Sequence, residues 1–280
     1  MPRMTGKRAM LEQLIADGVQ HVFGNPGTTE QGFMDVLQDY PQVQFMLALH
    51  EGVAVSMADA YARLTRRPAF VEVHIAPGLG NALGMMHNAA IGKTPLVVYA
   101  GQSPGRVLLQ EPHLSGPLVD MARPICKWSA QIHHAHLSAA VEVTEPGRMV
   151  RVRGGGIGPG LPGSLGAQLA RPDRKVVGVC SDGAAMYSIS ALWTAAHHKI
   201  PVTYVMLNNA AYRILKLNMV EYLGAAARGR RFVAMDLTDP ELRFDRMAEA
   251  MGVHGRRVER PEDLGPALVD VAMESPVPLP

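Results

Sequence analysis

Asp182 and Asn209 carry side chains that could hold a divalent cation. Each follows an apolar run, residues 175–180 and 201–207, that predicts a buried strand. Their separation of 27 residues fits a strand, a crossover helix and a return strand, so both belong at the carboxyl edge of a parallel sheet. Carboxylate and amide oxygens suit Mg²⁺ or Ca²⁺, and Gly183 lets backbone amides approach a phosphate. The alternative is a pair of unrelated turns.

Glu51 and His74 also stand where strands are predicted to end. Glu51 follows the apolar run at residues 43–49 and precedes small apolar residues, so its carboxyl group should be partly desolvated and could share a proton with a heterocycle. His74 lies near the end of the run at residues 69–75 and could act as an acid, a base or a substrate anchor. The alternatives are a glutamate in an ordinary first helical turn and a structural histidine bonded to backbone.

A glycine-rich stretch covers residues 154–163. Its last six residues fit the pattern G-x-G-x-x-G, a strand-like segment precedes it, and Asp182 ends the next predicted strand, as in a dinucleotide-binding fold. Pro159 and Pro162 lack the amide hydrogens that would bind a pyrophosphate. Binding of a nicotinamide cofactor is therefore kept as an alternative.

The order of the apolar runs predicts the elements that must position these residues. Strands alternate with helices, which indicates an α/β fold with helices on both faces of a parallel sheet. Helices are predicted at residues 5–17, 51–65, 79–90, 185–198, 241–251 and 261–273. The chain should form two doubly wound parallel-sheet domains, residues 1–130 and 154–280, joined by a linker or remnant at 131–153.

The composition fits a globular protein. The 280 residues are 48% hydrophobic and 19% charged with a net charge of +2, which excludes a disordered chain and gives no reason to expect nucleic acid or membrane partners. No apolar run approaches the ~18 residues of a membrane span. Cys126 and Cys180 lack a metal-binding spacing and are expected to be reduced thiols of a cytoplasmic protein. Solvent exposure is favoured over metal binding for His133, His134 and His136.

Taken together, these motifs resemble those of the thiamine diphosphate-dependent decarboxylase superfamily, above all its benzoylformate decarboxylase-like and acetolactate synthase-like members. The likeness covers about residues 1–130 and 154–275. Segments that look like the pyrimidine-binding domain are residues 23–30, 47–51, 74–78 and 94–102. Segments that look like the diphosphate-binding domain are residues 155–166, 181–196 and 208–209. The resemblance implies the thiamine diphosphate-binding fold.

The resemblance also implies a role for each matching residue. Glu51 would bond the pyrimidine N1′ atom and favour the imino tautomer, and Thr28 and His74 would face the substrate. Asp182, Asn209 and the Ala211 carbonyl group would hold Mg²⁺ against the diphosphate. Ile157 would impose the bent shape of the cofactor. The full set of implied cofactor-binding residues is Pro26, Glu51, Gly155, Gly156, Ile157, Asp182, Gly183, Ala184, Asn209 and Ala211.

Family members usually have a third, central domain that this sequence lacks, so the junction and the second domain are expected to be truncated. Ser181 stands where the family's metal motif usually has glycine. The implied activity is thiamine diphosphate- and Mg²⁺-dependent, non-oxidative decarboxylation of a small 2-oxo acid. Because each cofactor in this family lies between two subunits, a homodimer or homotetramer is expected. The alternatives are an acetolactate synthase-like carboligase, a non-catalytic thiamine diphosphate-binding protein and a nicotinamide-dependent oxidoreductase.

Overall fold

A computed structural model of the chain describes residues 4–132, 156–228, 232–260 and 263. The elements of the first half are α1 (Gly6–Ala16), β1 (His21–Asn25), α2 (Gln31–Leu37), β2 (Gln44–Leu47), α3 (Glu51–Thr65), β3 (Ala69–Val73), α4 (Ile75–Ile91), β4 (Leu96–Ala100) and α5 (Leu118–Ala122). The four strands form a parallel sheet in the order β2-β1-β3-β4.

Alternating side chains of this sheet build two apolar cores. Val22 and Phe70 lie in one core with Phe33 of α2, whereas Phe23 and Val71 lie in the other with residues of α3 and α4. Every residue of β3 is buried, as expected for a central strand with helices on both faces. Each large apolar side chain buried in this way stabilises the fold by about 1.5–3 kcal/mol.

The second half repeats the α/β pattern around a smaller described sheet. Its elements are α6 (Gly160–Ala170), β5 (Val176–Ser181), α7 (Asp182–Met186), α8 (Ala191–His197), β6 (Val202–Leu207), α9 (Arg213–Leu223) and α10 (Phe244–Ala250). Strands β5 and β6 pair in parallel, with Ser181 opposite Leu207, so their carboxyl ends meet at one edge. The predicted α/β class with parallel sheets is therefore confirmed, although the described part of this sheet has only two strands.

The two halves share one core through helices α3 and α6. Met57 of α3 and Leu161 and Leu165 of α6 are completely buried in the same apolar cluster. A Cβ atom on Gly166 would lie 1.9 Å from the carbonyl oxygen of Met57, so only glycine lets the two helices approach this closely. The halves are therefore joined by backbone-level contact rather than by side chains alone.

Two helix boundaries near the candidate site differ from the sequence prediction. Helix α4 begins at Ile75 rather than at 79, because Pro77 falls in the first turn, where its missing N–H costs little. The single helix predicted at 185–198 is two helices, α7 and α8, and Asp182 begins the first of them.

Other predictions fall outside the described residues in large part, namely the linker at 131–153 and the helix at 261–273. Within the described ranges, no helix combines the length and the hydropathy needed to cross a membrane.

Candidate functional site

Glu51 lies at the amino end of α3, where its carboxylate is held by two amide side chains. The helix begins there because the His50 ring accepts a hydrogen bond of 3.0 Å from the backbone N–H two residues on. The Glu51 side chain is only 5% exposed. Its Oε2 atom accepts a hydrogen bond of 3.0 Å from Asn81, and its Oε1 atom accepts a longer one of 3.4 Å from Asn25. A Cβ atom on Gly78 would come within 3.0 Å of Oε1, so glycine preserves this space.

His74 follows β3 and is fixed by a buried carboxylate. The Glu30 side chain is completely buried, and its oxygens accept hydrogen bonds from the Gly27 N–H at 2.9 Å and the Thr29 hydroxyl at 2.6 Å. His74 Nδ1 lies 2.7 Å from Glu30 Oε2. An Nδ1–H bond to this carboxylate orients the ring and leaves Nε2 for another partner.

Two glycines make room for the pairing of Glu30 with His74. A Cβ atom on Gly27 would lie 2.3 Å from the His74 ring, and one on Gly101 would lie 1.8 Å from Glu30 Oε1. Both glycines belong to segments, 23–30 and 94–102, that carried the family resemblance. Their close approach explains why glycine is required at these two positions.

Glu72 was missed by the sequence analysis, although it lies beside the two carboxylates just described. It is completely buried in β3, and neither side-chain oxygen has a hydrogen-bond partner. Burial, followed by the charges of Glu30 and Glu51, raises the pKa of Glu72 to about 8. Tyr99 of β4 is affected in a similar way. Burial, followed by the charges of Glu30 and Glu72, raises the pKa of Tyr99 to about 12. The available signal was a glutamate within an otherwise apolar strand.

Asp182 and Asn209 are brought together at the edge of the second sheet, as their spacing predicted. The Asp182 carboxylate is buried, with Oδ1 accepting from the Gly183 N–H at 2.8 Å and Oδ2 accepting from the Asn209 N–H at 3.1 Å. The Asn209 side chain is exposed, and its oxygen accepts from the Ala211 N–H at 3.1 Å. Hydrogen bonds therefore link Asp182 to Asn209 and Asn209 to Ala211.

The loop that carries Ala211 is anchored from the other side. Ala211 pairs in antiparallel fashion with Asp236, and its carbonyl oxygen accepts from the Arg213 N–H at 2.8 Å. A Cβ atom on Gly183 would come within 2.6 Å of the Tyr212 ring, so this loop packs closely against the start of α7. The Asp182 carboxylate, the Asn209 amide and the Ala211 carbonyl supply hard oxygen atoms, the ligand type that Mg²⁺ prefers, so the chemistry of these residues fits this ion.

The glycine-rich segment approaches this region from the start of α6. Gly156 is tied to the buried Asn88 side chain of α4 by its N–H at 2.9 Å and by its carbonyl oxygen at 3.3 Å. Ile157 is 50% exposed, which leaves its side chain accessible to a ligand. Gly158 has φ of +107°, a conformation that glycine adopts without strain. Gly155 lies outside the described residues.

The other predicted site residues differ in exposure. Thr28 is exposed, whereas Pro26 and Ala184 are half-buried. Thr28 and Pro26 flank Gly27, so they belong to the turn that contacts His74. Ala184 lies in the first turn of α7, after Asp182.

Cysteines and histidines form no metal site in the part of the chain that the structure describes. No group of three or more His, Cys, Asp and Glu side chains there could hold a metal ion. Cys126 and Cys180 are free thiols, and burial raises the pKa of both. The residues expected to be solvent-exposed in the linker lie outside the described ranges, namely His133, His134 and His136.

Comparison with known proteins gives relatives that match about half of the chain. The chain is similar to the benzoylformate decarboxylase of Pseudomonas aeruginosa, 42% identical over 125 residues, and to the mitochondrial acetolactate synthase catalytic subunit of Aspergillus candidus, 29% identical over 149 residues. The matches cover 43% and 51% of this chain but only 23% and 22% of the relatives. The chain thus spans less than a quarter of the length of these curated relatives.

Solved structures share the fold. The thiamine diphosphate-dependent 4-hydroxybenzoylformate decarboxylase of Rhodococcus jostii RHA1 superposes with a TM-score of 0.84 at 20% identity, over 97% of each chain. The benzoylformate decarboxylase of Polynucleobacter necessarius gives a TM-score of 0.82 at 17% identity, again over 97% of each chain.

Family descriptions match the chain in order. Residues 4–116 match "Thiamine pyrophosphate enzyme, N-terminal TPP binding domain", and residues 132–279 match "Thiamine pyrophosphate enzyme, C-terminal TPP binding domain". These matches confirm the family that the motifs predicted and favour it over a nicotinamide-dependent oxidoreductase. The chain belongs to the thiamine pyrophosphate enzyme family.

Proposed function

We propose that this protein is a thiamine diphosphate- and Mg²⁺-dependent enzyme that decarboxylates a 2-oxo acid without oxidation. The observation that carries the proposal is the pair of oriented groups at one sheet edge, the amide-held Glu51 carboxylate and the His74 ring held by Glu30. A carboxylate suits a heterocyclic nitrogen, and an oriented imidazole suits a reacting carbonyl or carboxylate. The similarity to a benzoylformate decarboxylase supports an aromatic 2-oxo acid as the first substrate to test.

The second half supplies the residues that would hold the cofactor. Asp182, Asn209 and the Ala211 carbonyl would bind Mg²⁺ against the diphosphate, with Gly156 and Ile157 alongside. When bound, thiamine diphosphate supplies a nucleophilic carbon and an electron sink for cleavage of the carbon–carbon bond next to a carbonyl group.

The first half would act on protons and orientation. Glu51 would accept a hydrogen bond from the pyrimidine ring, and its two amide donors fix the direction of its oxygens. His74 would face the substrate through Nε2, because Nδ1 is held by Glu30. Thr28 would offer a hydroxyl from the adjoining turn.

Acetolactate synthase-like carboligation is the second candidate, supported by the similarity to the Aspergillus candidus synthase subunit. His74 favours decarboxylation, because the synthase-like pattern usually has a hydroxyl residue at this position. A non-catalytic thiamine diphosphate-binding protein is the third, since the chain spans so little of its relatives.

Association between copies is part of the proposal, because the site would be completed across two subunits in a homodimer or homotetramer. One face of the second sheet exposes Val177 and Val179, and Leu207 at its edge is also exposed. Contiguous apolar surface of this kind favours contact with another protein surface. We propose a cytoplasmic enzyme with a small-molecule substrate and no nucleic-acid or membrane partner.

The test begins with binding. Thermal denaturation is measured with thiamine diphosphate plus Mg²⁺ and, separately, with NAD(P); a ligand at 100 times its Kd should stabilise the fold by about 2.7 kcal/mol. Stabilisation by NAD(P) alone would refute the proposal.

The reaction is then assigned by its products. Benzoylformate should yield benzaldehyde and CO₂, whereas acetolactate from pyruvate would favour the carboligase. Glu51→Gln keeps the side-chain shape and should lower turnover by ~10² while leaving diphosphate binding nearly unchanged. Binding without either product would identify a non-catalytic binder.

A further inference from the structure

A cluster of three carboxyl groups, formed by Glu30, Glu51 and Glu72, underlies the candidate site. The charges of Glu30 and Glu51 both act on Glu72. Glu30 and Glu51 accept hydrogen bonds, and both have a role in the proposed reaction. Glu72 has no such role. Glu72 is thus a third acid beside two carboxyl groups that already have roles in the proposed reaction.

Strand register fixes the position of Glu72. Glu72 is paired with Gly24 on β1 and with Tyr99 on β4, and alternation along β3 puts it on the same face as Phe70. The Phe70 and Tyr99 rings stack with centroids 6.2 Å apart. Glu72 therefore projects into an aromatic layer rather than toward water.

Gly24 provides the space that the Glu72 carboxyl occupies. A Cβ atom at residue 24 would lie 2.6 Å from Glu72 Oε2 and 2.8 Å from the Phe45 ring. Any larger residue would displace the carboxyl group. Because Gly24 has no side chain, the Glu72 carboxyl group fits here, but no hydrogen-bond donor contacts its oxygens.

Hydrogen bonding divides the three acids into two kinds. Glu30 accepts from the Gly27 N–H, the Thr29 hydroxyl and the His74 ring, and Glu51 accepts from two amides. These donors satisfy the oxygen atoms of both side chains. Glu72 has none, and a buried, unpartnered carboxylate is strongly disfavoured relative to the neutral acid.

We propose that Glu72 is a positioning residue that stays protonated beside Glu51 and the Glu30–His74 pair and so adds no negative charge next to them. The inference rests on the proposed function for the roles of Glu51 and His74. The titratable groups that face Glu72 are Glu30 from the turn before α2, Glu51 from α3 and Tyr99 from β4, and His74 follows two residues later and contacts Glu30. From β1, Gly24 faces Glu72.

The protonation state of Glu72 should affect the NMR signals of the His74 ring. Loss of that proton would add a negative charge close to Glu30 and tighten its hold on the imidazole. In ¹⁵N-histidine-labelled full-length protein without cofactor, the His74 ring signals, assigned by their loss in His74→Asn, should show an inflection at about pH 8. Glu72→Gln should remove this inflection, and Glu12→Gln, which alters an exposed acid outside the cluster, should keep it.

Identical His74 titrations in the wild type and Glu72→Gln would overturn the proposal. Should Glu72→Gln fail to fold, infrared spectroscopy of the wild type decides instead. A carbonyl stretch of a protonated carboxyl group should be present near neutral pH and disappear as pH rises through about 8. Absence of that band at neutral pH would refute a stored proton.

The loaded enzyme offers a separate readout. The pH profile of kcat with benzoylformate should contain an inflection at about pH 8 in the wild type that shifts or vanishes in Glu72→Gln. An unchanged profile in the variant would contradict the positioning role. If thiamine diphosphate does not bind at all, the proposed function fails, whereas the cofactor-free spectra still decide the state of Glu72.

Discussion

The Glu72→Gln substitution should change the pH dependence of stability in a direction set by the buried acid. The folded chain raises the pKa of Glu72 from 4.5 to about 8, so it binds this proton more tightly than the unfolded chain does. The contribution of Glu72 to stability is therefore fully present below about pH 4.5 and is lost as pH rises to about 8. Glutamine stays neutral at every pH, so Glu72→Gln should not lose this stability as pH rises.

The size of the effect follows from the difference between the two pKa values. A difference of between three and four pH units corresponds to roughly 4–5 kcal/mol. Relative to the wild type, Glu72→Gln should gain about 4 kcal/mol of unfolding free energy between about pH 5 and about pH 9. The assay is urea denaturation across this pH range, with the difference between the two proteins plotted so that shared titrations cancel.

Glu12→Gln is the matched control, because Glu12 is exposed and the Tyr40 hydroxyl that donates to its oxygen at 2.8 Å can donate to an amide oxygen as well. Its stability should follow the wild type at every pH. If the wild type and Glu72→Gln gave parallel curves, Glu72 would already be ionised at low pH or reached by water, and the argument from its unpartnered oxygens would be wrong.

Other substitutions and a measurement of mass test the rest of the molecule. Asp182→Ala should abolish the stabilisation by thiamine diphosphate plus Mg²⁺, about 2.7 kcal/mol at 100 times Kd, in thermal denaturation; an unchanged shift would refute the metal assignment. Gly166→Ala should destabilise the fold by about 1–3 kcal/mol in urea, because its Cβ would meet the Met57 carbonyl oxygen. Gly163→Ala in the same helix, whose Cβ would meet nothing closer than 3.9 Å, should be neutral or stabilising. Sedimentation velocity should detect a dimer or tetramer, and a folded monomer that binds cofactor would contradict assembly across subunits.

The elements most accessible to sequence reasoning were those set by local rules. Asp182 and Asn209 could be paired from their spacing because one β-α-β crossover has a nearly fixed length. The structure brings them together through a hydrogen bond of 3.1 Å from the Asn209 N–H to the Asp182 carboxylate. The start of α3 at Glu51 was likewise expected from the run of small apolar residues after it.

The contacts that escaped prediction depend on residues far apart in the chain. His74 and Glu30 are separated by 44 positions, and their 2.7 Å approach needs two glycines that bring their turns together. Glu72 becomes significant only through the strand register that puts it opposite Gly24 and Tyr99. In an apolar run it otherwise has the sequence context of an ordinary strand. The early start of α4 was hidden by the glycine and proline that usually indicate a turn.

The close approach of α3 and α6 limits how this chain can move. Glu51 begins α3, and Gly166 leaves no gap between that helix and the backbone of the second half. A rotation of one half on the other would therefore have to separate two helices that meet at main-chain distance. The two halves should melt in a single cooperative transition, and a ligand bound by either half should protect both from proteolysis. Because α3 and α6 meet at main-chain distance, we expect no hinge at this contact between the described residues, and entry of small molecules should depend on movements of loops.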